Sequence, residues 1–222
     1  MDLMNLIIFD LINPILNYNV MLFYLVNNGL ENSILNIIMP FLTDFGSLAA
    51  WCIICALLYI FGGVKAKKVA ILAFLALFIS NVFVYLLKHF IAEPRPFLVL
   101  GNVHQLVLEN DVYSFPSGHA TSSFAAAVVI GLKYSIEFLD RKIRIIYPII
   151  AFAAVIGFSR IYIGVHYPLD VVFGALIGTI CALLVLKFEN KIFLNKISNL
   201  IGLQKILNLN FPVKFKNIIN KR

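Results

Sequence analysis

Long apolar runs separated by short polar clusters divide the chain into predicted membrane helices. Residues 45–64 form an uncharged run of twenty, which is long enough to cross a bilayer as one helix. A second run covers residues 69–87 and ends at Lys88. Three shorter runs follow, at residues 120–132, 145–159 and 171–186. Because sixteen helical residues cover only about 24 Å of a roughly 30 Å hydrocarbon core, these later helices must extend through their charged ends.

The first 40 residues fit two arrangements. Residues 3–26 are mostly apolar, but Asp10, Pro14 and three asparagines interrupt them. They form either a sixth spanning helix or an interfacial or re-entrant helix pair. No basic segment precedes the apolar stretch, so a cleaved signal peptide is not expected. The fold class is therefore all-α, a polytopic membrane helix bundle with five core transmembrane helices plus an N-terminal interfacial or sixth helix.

Composition supports an integral membrane protein. Hydrophobic residues make up 61% of the 222 residues and charged residues only 13%, against about 25% charged in a typical soluble domain. The net charge of +7 does not indicate nucleic-acid binding, because the basic residues flank apolar runs. We expect one domain, with a membrane-associated segment at 1–40, a catalytic core at 41–188 and a basic cytoplasmic tail at 189–222.

The distribution of Lys and Arg predicts the orientation. Fifteen of the eighteen lie in a loop at 65–68, a loop at 133–144 and the tail from Lys187 onward. The positive-inside rule places these segments in the cytoplasm. The other three cations are Lys88, Arg95 and Arg160. Each lies at the end of an apolar segment that is on the opposite side of the membrane from the basic segments. Ionisable residues at membrane depth usually mark a functional site, so the candidate site faces outward at headgroup depth.

The tail and the last predicted helix carry two weaker patterns. Phe193, Ile197 and Leu200 recur at helical spacing among lysines, which is typical of a basic helix on an anionic inner leaflet. A loosely ordered tail that only enforces topology is the alternative. Gly174 and Gly178 form a small-residue face that allows another helix to approach closely.

The stretch from Ser159 to Asp170 predicts a nucleophile. Pro168 suits the first turn of a helix, so His166 lies just before that helix and Asp170 within its first turn. Asp170 can then reach back to one imidazole nitrogen of His166. This contact would fix the tautomer and leave the other nitrogen free to attack. Arg160, six residues before His166, adds a cation.

The segment Pro116-Ser117-Gly118-His119 opens another helix. A helix N-terminus offers unpaired backbone N–H groups and a favourable dipole to an anion. Gly118 allows close approach to a phosphate, Ser117 adds a hydroxyl, and His119 can serve as a general acid. An ordinary serine N-cap beside an interfacial histidine is the alternative interpretation.

Lys88 and Arg95 supply two further cations. Pro94 and Pro96 flank Arg95 and exclude a regular helix there, so the guanidinium is held on a stiff segment. Arginine offers a planar fork of donors to phosphate oxygens, whereas lysine offers a point charge. Snorkelling at a helix end explains Lys88 well but explains the Pro-Arg-Pro segment poorly.

Together the three stretches resemble the signature of the type 2 phosphatidic acid phosphatase family of membrane lipid phosphatases. The family motif Lys-x6-Arg-Pro corresponds to Lys88–Pro96, Pro-Ser-Gly-His to Pro116–His119, and Ser-Arg-x5-His-x3-Asp to Ser159–Asp170. The resemblance covers roughly residues 40–188. These motifs are specific for the chemistry of the site and not for the substrate.

The resemblance implies a role for each residue. His166 would attack phosphorus and form a phosphohistidine, Asp170 would orient His166, and His119 would protonate the leaving group and then activate water. The phosphoryl oxygens would be held by Lys88, Arg95, Ser117, Gly118 and Arg160. Phosphoryl transfer depends mainly on positioning and charge stabilisation. Since the single motif carboxylate already has a partner, no metal or other cofactor is expected.

The expected partners are a lipid phosphate substrate and membrane lipids. A small protein with an outward-facing site favours a polyprenyl diphosphate such as undecaprenyl diphosphate, hydrolysed to the monophosphate. Phosphatidylglycerophosphate, phosphatidate and diacylglycerol diphosphate remain alternatives. A non-catalytic lipid-binding or transport protein is disfavoured, because binding alone would not require the pair His166 and Asp170. Vanadate-dependent haloperoxidases share the motif logic but are soluble.

Overall fold

The computed structural model describes residues 3–138 and 141–194, with side chains described for residues 13–135 and 144–192. Helices dominate this part of the chain, and one short antiparallel hairpin pairs Ser135 with Arg144. The elements follow in the order α1 (Leu3–Asn27), α2 (Ser33–Asp44), α3 (Leu48–Phe61), α4 (Val64–Ile91), α5 (Pro96–Val99), α6 (Gly118–Lys133), β1 (Ser135–Phe138), β2 (Arg141–Arg144), α7 (Ile146–Tyr162), α8 (Pro168–Lys187) and α9 (Glu189–Leu194).

Helix α6 lies at the centre of the bundle and packs against α4, α7 and α8. Most of its residues are small and buried, which lets the neighbouring helices approach closely. Its hydroxyl groups find partners inside the bundle. Asn81 Nδ2 on α4 donates to Ser122 Oγ at 3.1 Å, and Trp51 Nε1 on α3 donates to Ser123 Oγ at 3.2 Å.

The small-residue face predicted in α8 lies against α6. A Cβ atom added to Gly174 would lie 2.6 Å from the carbonyl oxygen of Ser117, and one added to Gly178 would lie 2.3 Å from that of Thr121. Real Cβ atoms do not approach backbone so closely. The two glycines therefore fix the separation between α8 and the N-terminal half of α6.

All three motif stretches meet at one end of the bundle. Lys88 lies in the last turn of α4, and Arg160 lies in the last turn of α7. At the same end, α6 begins at Gly118 and α8 begins at Pro168, as their sequences predict. This end of the bundle is called the site end below.

The predicted basic loops lie at the opposite end but are not loops. Lys65, Lys67 and Lys68 belong to the first turns of α4, because the helix begins directly after Gly63. The segment predicted as a loop at 133–144 forms the end of α6 and the β1–β2 hairpin. This hairpin is the one departure from an all-helical fold in the part of the chain that the structure describes.

The prediction of one spanning helix over residues 45–64 was wrong. Ser47 caps the N-terminus of α3 by accepting a hydrogen bond from Ala50 N at 3.1 Å, and Gly62 ends the helix. The 14-residue α3 is instead joined to α2 at a bend of 55°. By length and hydropathy, α4 and α8 can each span a membrane, and the bent pair α2–α3 can form a third span. A count of five core spanning helices stays a prediction.

The N-terminal helices pack on the site end. Asn27, the last residue of α1, donates from Nδ2 to Tyr162 O at 2.7 Å, and Asn19 Oδ1 accepts from Leu169 N at 3.0 Å. These contacts hold the end of α7 and the start of α8. The predicted boundary at residue 40 falls inside α2, which carries Pro40.

The predicted basic tail begins beside α6. Within it, the structure describes the short helix α9, where Glu189 forms an ion pair with Lys133 at the end of α6. The predicted amphipathic pattern through Ile197 and Leu200 lies outside the described residues and stays a prediction.

Candidate active site

His166 lies in the tight connection between α7 and α8. Gly164 has a φ of +83°, and a Cβ atom there would lie 2.8 Å from His104 O, so glycine suits this turn. Tyr167 then caps α8, which begins at Pro168. His166 and Asp170 are almost completely buried, with exposed fractions of 1% and 0%.

The two imidazole nitrogens of His166 face different partners. Nδ1 lies 3.1 Å from Asp170 Oδ2, and Nε2 lies 3.2 Å from Arg95 Nη1. A carboxylate accepts a hydrogen bond and a guanidinium donates one, so the contacts select the tautomer with the proton on Nδ1. The lone pair of Nε2 therefore points toward Arg95.

Asp170 has two further partners besides His166. Ser114 Oγ donates a short hydrogen bond to Asp170 Oδ2 and lies 3.3 Å from His166 Nδ1. Tyr167 N also donates to Asp170 Oδ2, at 2.8 Å. Ser114 was not predicted from the sequence. Its position two residues before Pro116 was the only available signal, because its burial beside Asp170 depends on a contact between distant parts of the chain.

The surroundings of His166 keep its imidazole neutral. Burial of the imidazole is the largest cause, and the charges of Arg95, Arg160 and Lys88 add to it. Together they hold the pKa of His166 well below its ordinary value of 6.5. Both causes disfavour the added positive charge of the imidazolium form. At neutral pH, Nε2 thus retains the lone pair that a nucleophile needs.

Arg95 is fixed by the backbone on both sides. Its Nη1 donates to Val165 O at 2.9 Å, and its Nε donates to Asp111 O at 2.5 Å. The segment between α4 and α5 is held by Arg95 N, which donates to Val112 O at 3.2 Å. The guanidinium consequently stays beside Nε2 of His166 without having to be ordered when a ligand binds.

Lys88 is joined to the same region through Asp111. Its Nζ lies 2.7 Å from Asp111 Oδ2 and also donates to Tyr113 O. Burial raises the pKa of the Asp111 carboxyl, but hydrogen bonds from Lys88 and Tyr113 and the nearby charges of Lys88 and Arg95 outweigh it. The net pKa of Asp111 lies below its ordinary value of 3.8. Asp111 is therefore ionised at neutral pH.

Arg160 is almost fully buried at the end of α7. Its Nη1 donates to Thr43 Oγ1 at 3.1 Å, and its Nη2 forms a close ion pair with Glu109 Oε1. The other oxygen of Glu109 lies 3.4 Å from Arg95 Nη2. Thr43, Glu109 and Asp111 were not predicted from the sequence. Nothing in a loop sequence indicates which carboxylates fold back onto the motif cations.

The Pro116–His119 segment approaches the same site through the start of α6. Ser117 is the N-cap: its Oγ accepts from Ala120 N at 3.4 Å, while its backbone N–H donates to Asp170 O at 3.1 Å. A Cβ atom on Gly118 would meet only Val84, at 3.9 Å, so the backbone there is accessible. His119 lies within electrostatic range of Arg160, Arg95 and Lys88.

The structure thus brings the predicted residues together at one end of the bundle. His166 is in direct contact with both Asp170 and Arg95. Lys88 is joined to Arg95 through Asp111, and Arg160 is joined to Arg95 through Glu109. Ser117 is bonded to the backbone of Asp170. The roles assigned to these residues stay predictions. No group of three or more His, Cys, Asp or Glu residues suited to a metal ion occurs in the described part of the chain.

Comparison with known proteins gives the family. The model of the PAP2 superfamily matches residues 68–194, which include all three motif stretches. The chain belongs to the PAP2 superfamily. It is a membrane lipid phosphatase, in agreement with the resemblance of its motifs and with its apolar helices.

Relatives within the PAP2 superfamily match most of the chain. Undecaprenyl-diphosphatase BcrC of Bacillus subtilis (strain 168) is 33% identical over 160 residues, covering 72% of this chain and 78% of the relative. An undecaprenyl-diphosphatase of Sulfolobus acidocaldarius is 32% identical over 186 residues, covering 84% and 85%. The crystal structure of Aquifex aeolicus LpxE superposes with a TM-score of 0.64 at 34% identity, covering 77% of this chain and 95% of that one.

Proposed function

We propose that this protein hydrolyses undecaprenyl diphosphate, or a closely similar polyprenyl diphosphate, to the monophosphate through a phosphohistidine intermediate. The observation that carries the mechanism is the arrangement of His166, with Nδ1 held 3.1 Å from Asp170 and Nε2 directed toward Arg95. A buried, neutral histidine oriented by a carboxylate has the features of an activated nucleophile. Binding alone would not require this arrangement.

The first step transfers the terminal phosphoryl group. Nε2 of His166 attacks phosphorus in line, and the phosphorus–oxygen bond to the lipid monophosphate breaks. His119, protonated once the bound diphosphate offsets the charges of Lys88, Arg95 and Arg160, donates a proton to the departing oxygen. Arg95 and Arg160 then stabilise the charge on the equatorial oxygens, with Lys88 adding a third cation. Asp170 stabilises the positive charge that develops on the imidazole.

The second step regenerates the enzyme. His119, now neutral, accepts a proton from water, and the water oxygen attacks the phosphorus of phosphohistidine. The phosphorus–nitrogen bond breaks, orthophosphate leaves, and His166 recovers its lone pair. The same three cations serve both steps, because both transition states carry the negative charge on the same oxygens.

The choice of a polyprenyl diphosphate is supported by the relatives. Two of them that each align with more than two thirds of this chain are named undecaprenyl-diphosphatases. Phosphatidylglycerophosphate and phosphatidate remain the alternatives from the sequence analysis, because the motif residues contact only a phosphoryl group. The substrate tail would lie among the apolar helices, with its phosphate groups at the site end.

We further propose that the site end faces the extracytoplasmic side and that the C-terminus is cytoplasmic. The support is the charge distribution: Lys65, Lys133 and Lys187 lie at the opposite end of the bundle. Cysteine variants at the exposed Asn102 and Asn190 test this. A membrane-impermeant maleimide should label only Asn102→Cys in intact cells, and labelling of only Asn190→Cys would reverse the orientation.

Phosphate release by the purified, detergent-solubilised protein tests the proposed function. Undecaprenyl diphosphate, phosphatidylglycerophosphate and phosphatidate are compared at equal mole fraction in EDTA, with His166→Ala as the inactive control. We expect the highest kcat/KM with undecaprenyl diphosphate. Equal or higher values with a glycerolipid would assign the protein to phospholipid dephosphorylation, and turnover by His166→Ala would refute the nucleophile.

A further inference from the structure

Glu109 forms a bridge between two cations of the proposed phosphate site. Its Oε1 pairs closely with Arg160 Nη2, and its Oε2 lies 3.4 Å from Arg95 Nη2. Both arginine side chains are almost fully buried, and the side chain of Glu109 is only 19% exposed. One carboxylate therefore occupies the Nη2 donors of Arg160 and Arg95 at the same time.

This contact uses the same donors that a phosphoryl group would need. A carboxylate and a phosphoryl group each present two oxygens to guanidinium forks. Arg95 contacts Nε2 of His166 through Nη1 and Glu109 through Nη2, so a phosphoryl group that reaches Nε2 approaches the same guanidinium that holds Glu109. Two anions so close together repel each other, and a substrate therefore has to displace the Glu109 carboxylate.

The surrounding chain allows the Glu109 side chain to rotate outward. Leu106 N donates to Ile163 O at 3.2 Å, and Arg95 N donates to Val112 O at 3.2 Å, so the backbone is anchored on either side of Glu109. Between these anchors, Leu108 is 92% exposed and Asn110 is also exposed. Outward rotation of Glu109 breaks its two arginine contacts without unpacking a buried apolar side chain.

We propose that Glu109 is a specificity-determining residue that competes with the substrate for Arg95 and Arg160 and so favours lipid diphosphates over lipid monophosphates. This inference rests on the proposed function. A diphosphate carries more negative charge than a monophosphate on the same tail, and its second phosphate adds contacts with cations such as Lys88. It therefore displaces the carboxylate more readily.

The competition explains how hydrolysis stops after one phosphate. The product of the first reaction is itself a lipid monophosphate, and nothing in the His166 chemistry prevents a second attack. That attack would break the bond between phosphorus and the lipid oxygen and pass the proton of His119 to that oxygen, which releases the free alcohol. Water would then attack the phosphohistidine and release orthophosphate, as in the second step above. Glu109 disfavours this second hydrolysis by raising the KM for the monophosphate.

The test compares wild-type protein with Glu109→Gln, which keeps the shape of the side chain but removes its charge. Kinetics are measured with undecaprenyl diphosphate and undecaprenyl monophosphate, and inorganic phosphate is used as a competitive inhibitor. We expect the variant to lower the KM for the monophosphate and the inhibition constant of phosphate by about tenfold or more. Free undecaprenol should then accumulate as a second product.

Glu31→Gln is the matched control. Glu31 pairs with His104, so the substitution removes the same charge without touching Arg95 or Arg160. It should leave the KM for both substrates and inhibition by phosphate unchanged. Glu109→Ala is measured as well, so that poor folding of one variant does not decide the result.

The direction of the change separates competition from a structural role. If Glu109 only held the arginines in place, its removal would weaken inhibition by phosphate and lower kcat on the diphosphate, and this result would overturn the inference. Unchanged selectivity would also overturn it while leaving the proposed function intact. A wild-type enzyme that prefers a glycerolipid would refute the proposed function, and the inference with it.

Discussion

Asp170 Oδ2 lies 3.1 Å from Nδ1 of His166, and both residues are buried at the start of α8. The spacing of four residues lets Asp170, in the first turn of α8, reach back to His166, which precedes the helix. In the proposed mechanism, this carboxylate would select the tautomer of His166 and support the positive charge that forms on the imidazole during attack. The pair should therefore act as a unit in catalysis.

Asp170→Asn should strongly reduce turnover without preventing membrane insertion. The amide can donate to Nδ1 and so favour the tautomer with the proton on Nε2, where the nucleophilic lone pair is needed. We expect kcat to fall by about 10²- to 10⁴-fold, measured as initial rates of phosphate release. His89→Ala is the control, because His89 is exposed and rests against Tyr85 and Tyr113. Activity of Asp170→Asn close to wild type would contradict the pairing.

Ser114→Ala should lower kcat while leaving KM nearly unchanged. The hydroxyl donates to Asp170 Oδ2, so its loss frees the carboxylate to shift away from His166. Loss of one such buried hydrogen bond costs about 1–3 kcal/mol, which corresponds to a decrease in kcat of roughly 5- to 150-fold. Ser80→Ala is the matched control, because the Ser80 hydroxyl donates to Leu77 O within its own helix. A change in KM alone would argue against a positioning role for Ser114.

The motif stretches could be located from the sequence because the residues that start their helices are close to them in the chain. Pro168 starts a helix and Ser117 caps one, so the positions of Asp170 and Gly118 at helix starts follow from neighbouring residues. The break in the run at 45–64 was also encoded locally, by Gly46, Ser47 and Gly62, but the uniform hydropathy of the run concealed it.

The contacts that complete the site could not be predicted in the same way. Ser114 reaches Asp170 across 56 positions, and Glu109 reaches Arg160 across 51. Such contacts depend on how the segment between α5 and α6 folds over the helix ends. In a single sequence, Glu109 is indistinguishable from an ordinary solvated loop carboxylate.

The pH profile should show a nucleophile that stays neutral in mild acid. Because the pKa of His166 is lowered, the neutral imidazole persists below pH 6.5, and activity is lost only as the pH falls further. The acid limb of kcat/KM, which reports the free enzyme, should therefore lie below 6.5. Removal of the neighbouring charge in Arg95→Gln should move this limb to higher pH. An acid limb that Arg95→Gln leaves in place would contradict the assignment.

Turnover should persist in excess EDTA. The proposed mechanism uses Lys88, Arg95 and Arg160 to stabilise the transferring phosphoryl group, and none of its steps passes through a metal ion. We expect equal kcat before and after dialysis against chelator, and inhibition by vanadate as a mimic of five-coordinate phosphorus. Loss of activity that is restored by added Mg²⁺ would require a different mechanism.

Gly178→Ala should destabilise the protein by separating α8 from α6. The new Cβ atom would lie 2.3 Å from Thr121 O and 2.9 Å from Ala125 N, and these are backbone atoms that cannot rotate away. Overpacking of this kind costs about 1–3 kcal/mol, which would appear as a lower Tm of the detergent-solubilised protein. Activity should fall as well, because α8 carries Asp170 and α6 carries His119. Gly63→Ala is the control, since a Cβ atom there meets nothing within 4 Å. An equal change in Tm for both variants would show that close α6–α8 packing is not the cause.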